Sequence, residues 1–213
     1  MIDSKVVAYI HETAVVSPRA HVEKGVEIGP YAVIEDHVTL GENVKVGAHA
    51  VIAANVSIGA GTRIEPHAVI NSWTSIGKDS HVFQFASVGA EPQDLKFKGE
   101  ETFCEVGDNN SIRENVTISR GTASKGTTKV GSNNLLMESV HIAHDCVIGS
   151  DIIIGNSTKF AGEVTVDDCA IISANILCHQ FCHIGGYVMV QGGSRFSMDI
   201  PPYIIVGKEP ARY

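Results

Sequence analysis

The stretch IGPYAVIEDHVTLGENVKVGAHAVIAANVSIGAGTRI, residues 28–64, decides the fold. Aliphatic side chains return every sixth position, at Ile28, Ile34, Leu40, Val46, Ile52, Ile58 and Ile64. Four residues after these anchors comes a second small or β-branched residue, as at Ala32, Val38, Val44, Ala50 and Val56. A helix repeats its apolar face every three to four residues and a half-buried strand every two. A period of six with two inward residues fits neither alone. It fits short strands separated by turns and wound into a coil. With three hexads per revolution, residues 18 apart become neighbours on parallel strands about 4.8 Å from each other.

The same phase runs outward in both directions. It holds from Ile10 to Val88, returns at Val106, Ile112 and Ile118, and resumes from Val130 to Phe196. Of these 29 anchors, 26 are Ile, Val or Leu, which makes the repeat the organising unit of the chain. Each repeat is then held mainly by its neighbours. Two polar segments lack anchors, AEPQDLKFKGEETFCE (90–105) and SKGTTK (124–129). They read as loops thrown from a coil corner, where solenoids carry binding residues. The expected architecture is an all-β parallel β-helix over residues 1–205, with 206–213 beginning a further segment.

Composition agrees. Aromatics are only 6% and glycines number 21, so the core must be built from medium-sized aliphatics. No apolar run approaches the roughly 20 residues of a membrane span. The opening MIDSKVVAYIHET lacks the apolar stretch of a secretory signal, so a cytoplasmic location is expected. The net charge of −8 argues against a nucleic-acid partner. Lys96, Lys98, Arg113, Arg120, Lys125 and Lys129 nevertheless gather in one part of the sequence, as either a solvated loop region or a docking patch for an acidic partner. The five cysteines are odd in number and form no evident disulfide framework. Cys178 and Cys182 have a spacing compatible with zinc, but both fall on inward positions of the repeat.

Ten histidines are present. Those of the first half, His11, His21, His37, His49, His67 and His81, read as surface residues. His141 and His144 in VHIAHDC, and His179 and His183 in LCHQFCH, lie close together in the winding. His144 falls two places past anchor Ile142, at a corner, with Asp145 directly after it. A carboxylate within reach of an imidazole fixes its tautomer and raises its basicity. One revolution later comes Gly162, whose amide can donate to an oxyanion with no Cβ in the way. Base, orienting acid and oxyanion donor are brought together by the 18-residue period. Two other readings stand beside this one: histidines satisfied at corners or subunit contacts, and a zinc site begun by His141 and His144.

The segments QDLKFKGE (93–100), IRENVTISRGT (112–122), NLLMESVHIAHDC (134–146), AIISANILCHQFCHIGG (170–186) and DIPPYII (199–205) carry a family resemblance. The chain resembles the UDP-N-acetylglucosamine 3-O-acyltransferases that begin lipid A synthesis. The resemblance implies a homotrimer of left-handed β-helices with active sites between subunits. It implies transfer of an (R)-3-hydroxyacyl chain from acyl carrier protein to the sugar 3-hydroxyl, with no metal and no cofactor. By the same resemblance His144 is the general base, Asp145 its orienting acid and Gly162 the oxyanion donor. Gln93, Asp94, Lys96, His141, His179 and Gln180 surround the substrates, and Gly192 gauges acyl length. The basic cluster gains a partner in the acidic carrier protein. The chain departs from the family at Ser119 and Glu163, where histidine is common, and in ending at Tyr213, where a C-terminal helical domain is expected to follow. An acyltransferase with a different acceptor, or an inactive scaffold, are the alternative readings.

Overall fold

The computed structural model describes residues 7–208, and within them the hexads form three parallel sheets of 11, 10 and 9 strands. Each strand is short because only two residues lie between one corner and the next. Tyr9–Ile10, Val15–Val16 and His21–Val22 start the three faces of a triangular prism. Every third strand pairs with the first, in register with the residue 18 positions on: Val33 opposes Val51, and Ile34 opposes Ile52. This is the all-β parallel β-helix expected from the period of six.

The second residue of each strand points inward. Ile28, Leu40, Ile52, Ile70, Ile112, Ile142 and Ile172 are without solvent exposure, and the small second set, Ala32, Val38, Ala50 and Ala68, is equally buried. Full burial of an aliphatic side chain contributes roughly 1.5–3 kcal/mol. One apolar column therefore runs the length of the prism and holds each rung on the next.

Most corners turn by a residue in the left-handed region, three places past the anchor. Tyr31, His37, Asn43, His49 and Asn55 have φ of 56, 58, 59, 58 and 61°. Asn, Asp and His tolerate this conformation better than most side chains. Several of these amides are also tied to the rung before, as Asn43 N to Lys24 O at 3.1 Å and His49 N to Pro30 O at 3.0 Å. Two of the first-half histidines do more than face solvent: Tyr31, His49, His67 and Phe85 stack ring on ring along one corner at 5.0, 5.0 and 5.4 Å.

The first interruption is narrower than the sequence suggests, and the second begins and ends earlier. Residues 103–105 and 127–129 belong to the strands Phe103–Val106 and Thr127–Val130, so the excursions are 91–102 and 120–126. Cys104 and Thr128 oppose each other, both buried, and occupy the second inward position of their hexads. The polar Thr128 hid that role. Among the described residues no helix is long and apolar enough to cross a membrane. The reading of 206–213 as a separate segment falls largely on residues 209–213, outside the described ones.

Candidate active site

The strand His141–Ile142 ends at a corner formed by Ala143, His144 and Asp145. Asp145 takes the left-handed turn, with φ of 60°, and has no solvent exposure. Its amide donates to Thr128 Oγ1 at 2.7 Å. Its carboxylate is met by Thr122 N on Oδ1 at 2.9 Å, Lys125 N on Oδ1 at 3.3 Å and Thr122 Oγ1 on Oδ2 at 2.6 Å. The fourth contact is His144 Nδ1, 2.9 Å from Oδ2. A carboxylate only accepts, so Nδ1 carries the hydrogen and Nε2 is left with the lone pair.

One revolution on, Gly162 lies against this ring. A Cβ built on Gly162 would stand 2.6 Å from both Cε1 and Nε2 of His144, so only glycine leaves room for the imidazole. The Gly162 N–H has no hydrogen-bond partner among the described residues, while the next amide, Glu163 N, donates to His144 O at 2.9 Å. The free lone pair and the free amide are thus on adjoining rungs of the same corner. Such an arrangement can remove a proton from a hydroxyl and stabilise an oxyanion beside it.

The two loops fold over the corner. A cavity of about 190 Å³ is lined by His144, Asp94, Lys96, Phe97, Thr122 and Glu163, among others. Asp94 Oδ1 receives Lys96 N at 2.9 Å, which shapes the tip of the 91–102 loop. Arg120 fastens the loops together: its guanidinium carbon sits 5.3 Å from the ring centres of both Trp73 and Phe97, and its amide donates to Ala90 O at 2.9 Å. Glu100 accepts from Ala123 N at 3.3 Å.

The structure gathers Asp94, Lys96, His144, Asp145 and Gly162. Gln93 is exposed on the same loop, outside the cavity lining. His141 stands on the neighbouring face, 2.7 Å from Thr117 Oγ1. Burial, and then the charges of Lys159 and His144, hold its imidazole below the usual histidine range. His179 lines an open groove of about 470 Å³ with Ala161, Leu177, Arg195 and Phe196. Gln180 is exposed at the same corner as Gly162, one rung further. Gly192 is not part of this group: it lies at the opposite edge of that face, against Ala174 O.

The basic cluster is not one patch. Arg120 is 5% exposed, Arg113 pairs with Glu114 and lies over Phe83, and Lys129 pairs with Glu105. Lys125 faces Glu163, which leaves Lys96 and Lys98 exposed on the first loop. Cys178 and Cys182 are buried inside the coil, and burial raises both thiols above the usual range, Cys178 the more strongly. Among the described residues no three His, Cys, Asp or Glu side chains gather as metal ligands. Sequence reasoning missed Thr122, Phe97 and Glu100. Thr122 carries no signal of its own, because its role depends on a loop that lies outside the period.

Comparison with known proteins extends this picture. The family model described as bacterial transferase hexapeptide (six repeats) matches residues 19–54, 37–72 and 127–162. The acyl-[acyl-carrier-protein]–UDP-N-acetylglucosamine O-acyltransferase of Herminiimonas arsenicoxydans is 44% identical over 196 residues, 92% of this chain and 68% of that protein. The crystal structure of a UDP-N-acetylglucosamine acyltransferase from Bacteroides fragilis is 54% identical, with a TM-score of 0.79 over 96% of this chain and 73% of that one. The Arabidopsis UDP-N-acetylglucosamine acyltransferase is 39% identical, with a TM-score of 0.93 over 95% of this chain and 72% of that one. A coil wound in the opposite sense could not superpose so closely, so the left-handed winding of such acyltransferases is also the winding here. On identity and coverage together, the chain belongs to the acyl-[acyl-carrier-protein]–UDP-N-acetylglucosamine O-acyltransferase family.

Proposed function

We propose that this chain is an O-acyltransferase that moves an acyl group from acyl carrier protein to UDP-N-acetylglucosamine. In the finer reading the acyl group is an (R)-3-hydroxyacyl chain, the acceptor is the sugar 3-hydroxyl, and the protein works as a cytoplasmic homotrimer at the start of lipid A synthesis. The observation that carries the chemistry is the His144 imidazole, bonded through Nδ1 to a buried carboxylate and seated over Gly162.

The acceptor hydroxyl gives its proton to Nε2 of His144 as its oxygen bonds to the thioester carbonyl carbon. The imidazolium formed is stabilised by Asp145, whose own donors keep the carboxylate in place. The carbonyl oxygen becomes an oxyanion and takes the Gly162 N–H. Collapse of the tetrahedral intermediate breaks the carbon–sulfur bond, and the departing thiolate recovers the proton from Nε2. Substrate contacts fall to Asp94 and Lys96 in the cavity and to His141, His179, Gln180 and Gln93 around it, and Gly192 marks the reach of the acyl chain across the face. Lys96 and Lys98 supply the positive charge that meets the acidic carrier.

The test is turnover of an acyl carrier protein thioester with UDP-N-acetylglucosamine. His144→Ala is expected to lower the rate at least roughly 100-fold with an unchanged thermal melt. Full activity in that variant removes His144 as the base. Turnover only with coenzyme A thioesters, or only with another amino sugar, assigns a different donor or acceptor.

A further inference from the structure

Asp145 and Glu163 occupy equivalent places on successive rungs. Each stands three residues past its anchor, Ile142 or Phe160, and each takes the left-handed turn, with φ of 60 and 63°. A single loop grips both carboxylates. The amides of Thr122 and Lys125 and the Thr122 hydroxyl donate to Asp145. Ser124 Oγ donates to Glu163 Oε1 at 3.2 Å, and Lys125 Nζ lies 3.6 Å from Glu163 Oε2. Lys125 therefore reaches one carboxylate with its backbone and the other with its ammonium group.

We propose that Glu163 is a positioning residue for the acyl transfer. Its carboxylate fastens residues 122–125 over the corner and so keeps the Thr122 donors on Asp145, which in turn orients His144. This deepens the function proposed above and rests on it. An isolated exposed ion pair contributes little. Glu163 differs in that its side chain is only 20% exposed and each of its oxygens meets a separate loop donor. The ends of the loop are pinned by backbone bonds, Arg120 N to Ala90 O at 2.9 Å, Gly121 N to Phe103 O at 3.0 Å and Phe103 N to Gly126 O at 2.8 Å. Between them, residues 122–125 have one further outside hold, Ala123 N to Glu100 at 3.3 Å; Ser124 N to Thr122 Oγ1 at 3.2 Å and Gly126 N to Thr122 O at 2.7 Å are internal to the loop. Released at Glu163, the segment keeps Asp145 as its main anchor, and the donors that orient the dyad become mobile. Small losses of geometry at a reacting group are costly.

The test uses Glu163→Gln, Ser124→Ala and the double variant, each read by amide hydrogen exchange and by steady-state kinetics. Exchange at residues 120–126 is expected to quicken in each variant. The kcat for acyl transfer is expected to fall roughly tenfold while KM for both substrates changes less than about twofold. The double variant is expected to be worse than either single one, because Glu163→Gln removes the ion pair with Lys125 while its amide oxygen still accepts from Ser124, and Ser124→Ala removes that second tie. Unchanged exchange overturns the proposal, and so does a raised KM at full kcat, which makes Glu163 a substrate contact instead. A wild-type protein without acyltransferase turnover defeats the functional reading, and the exchange comparison still decides whether Glu163 holds the loop.

Discussion

Thr122 serves both oxygens of Asp145, its amide 2.9 Å from Oδ1 and its hydroxyl 2.6 Å from Oδ2, on a carboxylate with no exposure to solvent. Hydrogen bonds to a charged group contribute about 1.5–3 kcal/mol, and a buried acceptor that loses its donor finds no water to replace it. Thr122→Val is therefore expected to lower kcat/KM by roughly tenfold or more, and Thr122→Ser to restore most of it. Steady-state kinetics of the two variants decide the matter; equal activity in both would show that the hydroxyl does not hold the dyad.

Gly162 and Gly155 separate a glycine of the proposed active site from a structural one. A Cβ at Gly162 would press on the His144 ring at 2.6 Å, whereas one at Gly155 would meet the backbone nitrogen of Ala174 at 2.5 Å. Gly162→Ala is expected to fold with a near-native melt and lose activity, because a side chain can swing aside. Gly155→Ala is expected to lose about 1–3 kcal/mol of stability, because rung spacing cannot yield. Thermal melts beside activity assays read both, and a large melt change in Gly162→Ala counts against the contrast.

Arg120 holds the first loop from beneath, with its guanidinium between Trp73 and Phe97. Such contacts contribute about 0.5–2 kcal/mol when desolvated, and lysine lacks the planar group that fits between two rings. Arg120→Leu and Arg120→Lys are both expected to speed tryptic cleavage at Lys96 and Lys98. An unchanged cleavage rate would show that the loop is held by other contacts.

His141 gives the fold a pH dependence. Its folded imidazole is held below the ordinary value of 6.5, by burial first and then by the charges of Lys159 and His144. As pH falls through 6.5 the unfolded chain gains a proton that the folded chain does not yet accept, so stability declines toward acid and is fully present only above that value. Between about pH 7.5 and about pH 5.5, His141→Asn is expected to lose less in Tm than the wild type. Parallel Tm curves would contradict it.

What could be read from the sequence was whatever obeyed the period. The anchors, the three faces and the juxtaposition of His144, Asp145 and Gly162 all follow from counting in sixes and eighteens. Residues off the period could not be placed by counting. Thr122 meets Asp145 and Ser124 meets Glu163 through a loop whose path depends on contacts from Trp73, Phe97 and Glu100, all distant in sequence. Arg120 looked like one charge of a surface cluster, and only the two rings around it show why it is buried. Thr128 looked like loop because a polar residue filled an inward position. Gly192 shares a face with His141 yet sits at its far edge, a separation visible only once the corners are laid out.

The rungs close after 18 residues, while pairing stretches to 30 residues across the first loop, as between Ile76 and Val106, and to 24 across the second, as between Val106 and Val130. Excursions that leave and rejoin the same corner are therefore harmless to the prism. A six-residue deletion from a rung between the first loop and His144 is different. It would rotate everything downstream by a third of a revolution, carrying His144, Gly162 and Gln180 together to another edge and leaving the 91–102 loop behind. Evolution can thus remodel the corner of His144 one excursion at a time, whereas the scaffold itself can grow or shrink only by whole revolutions.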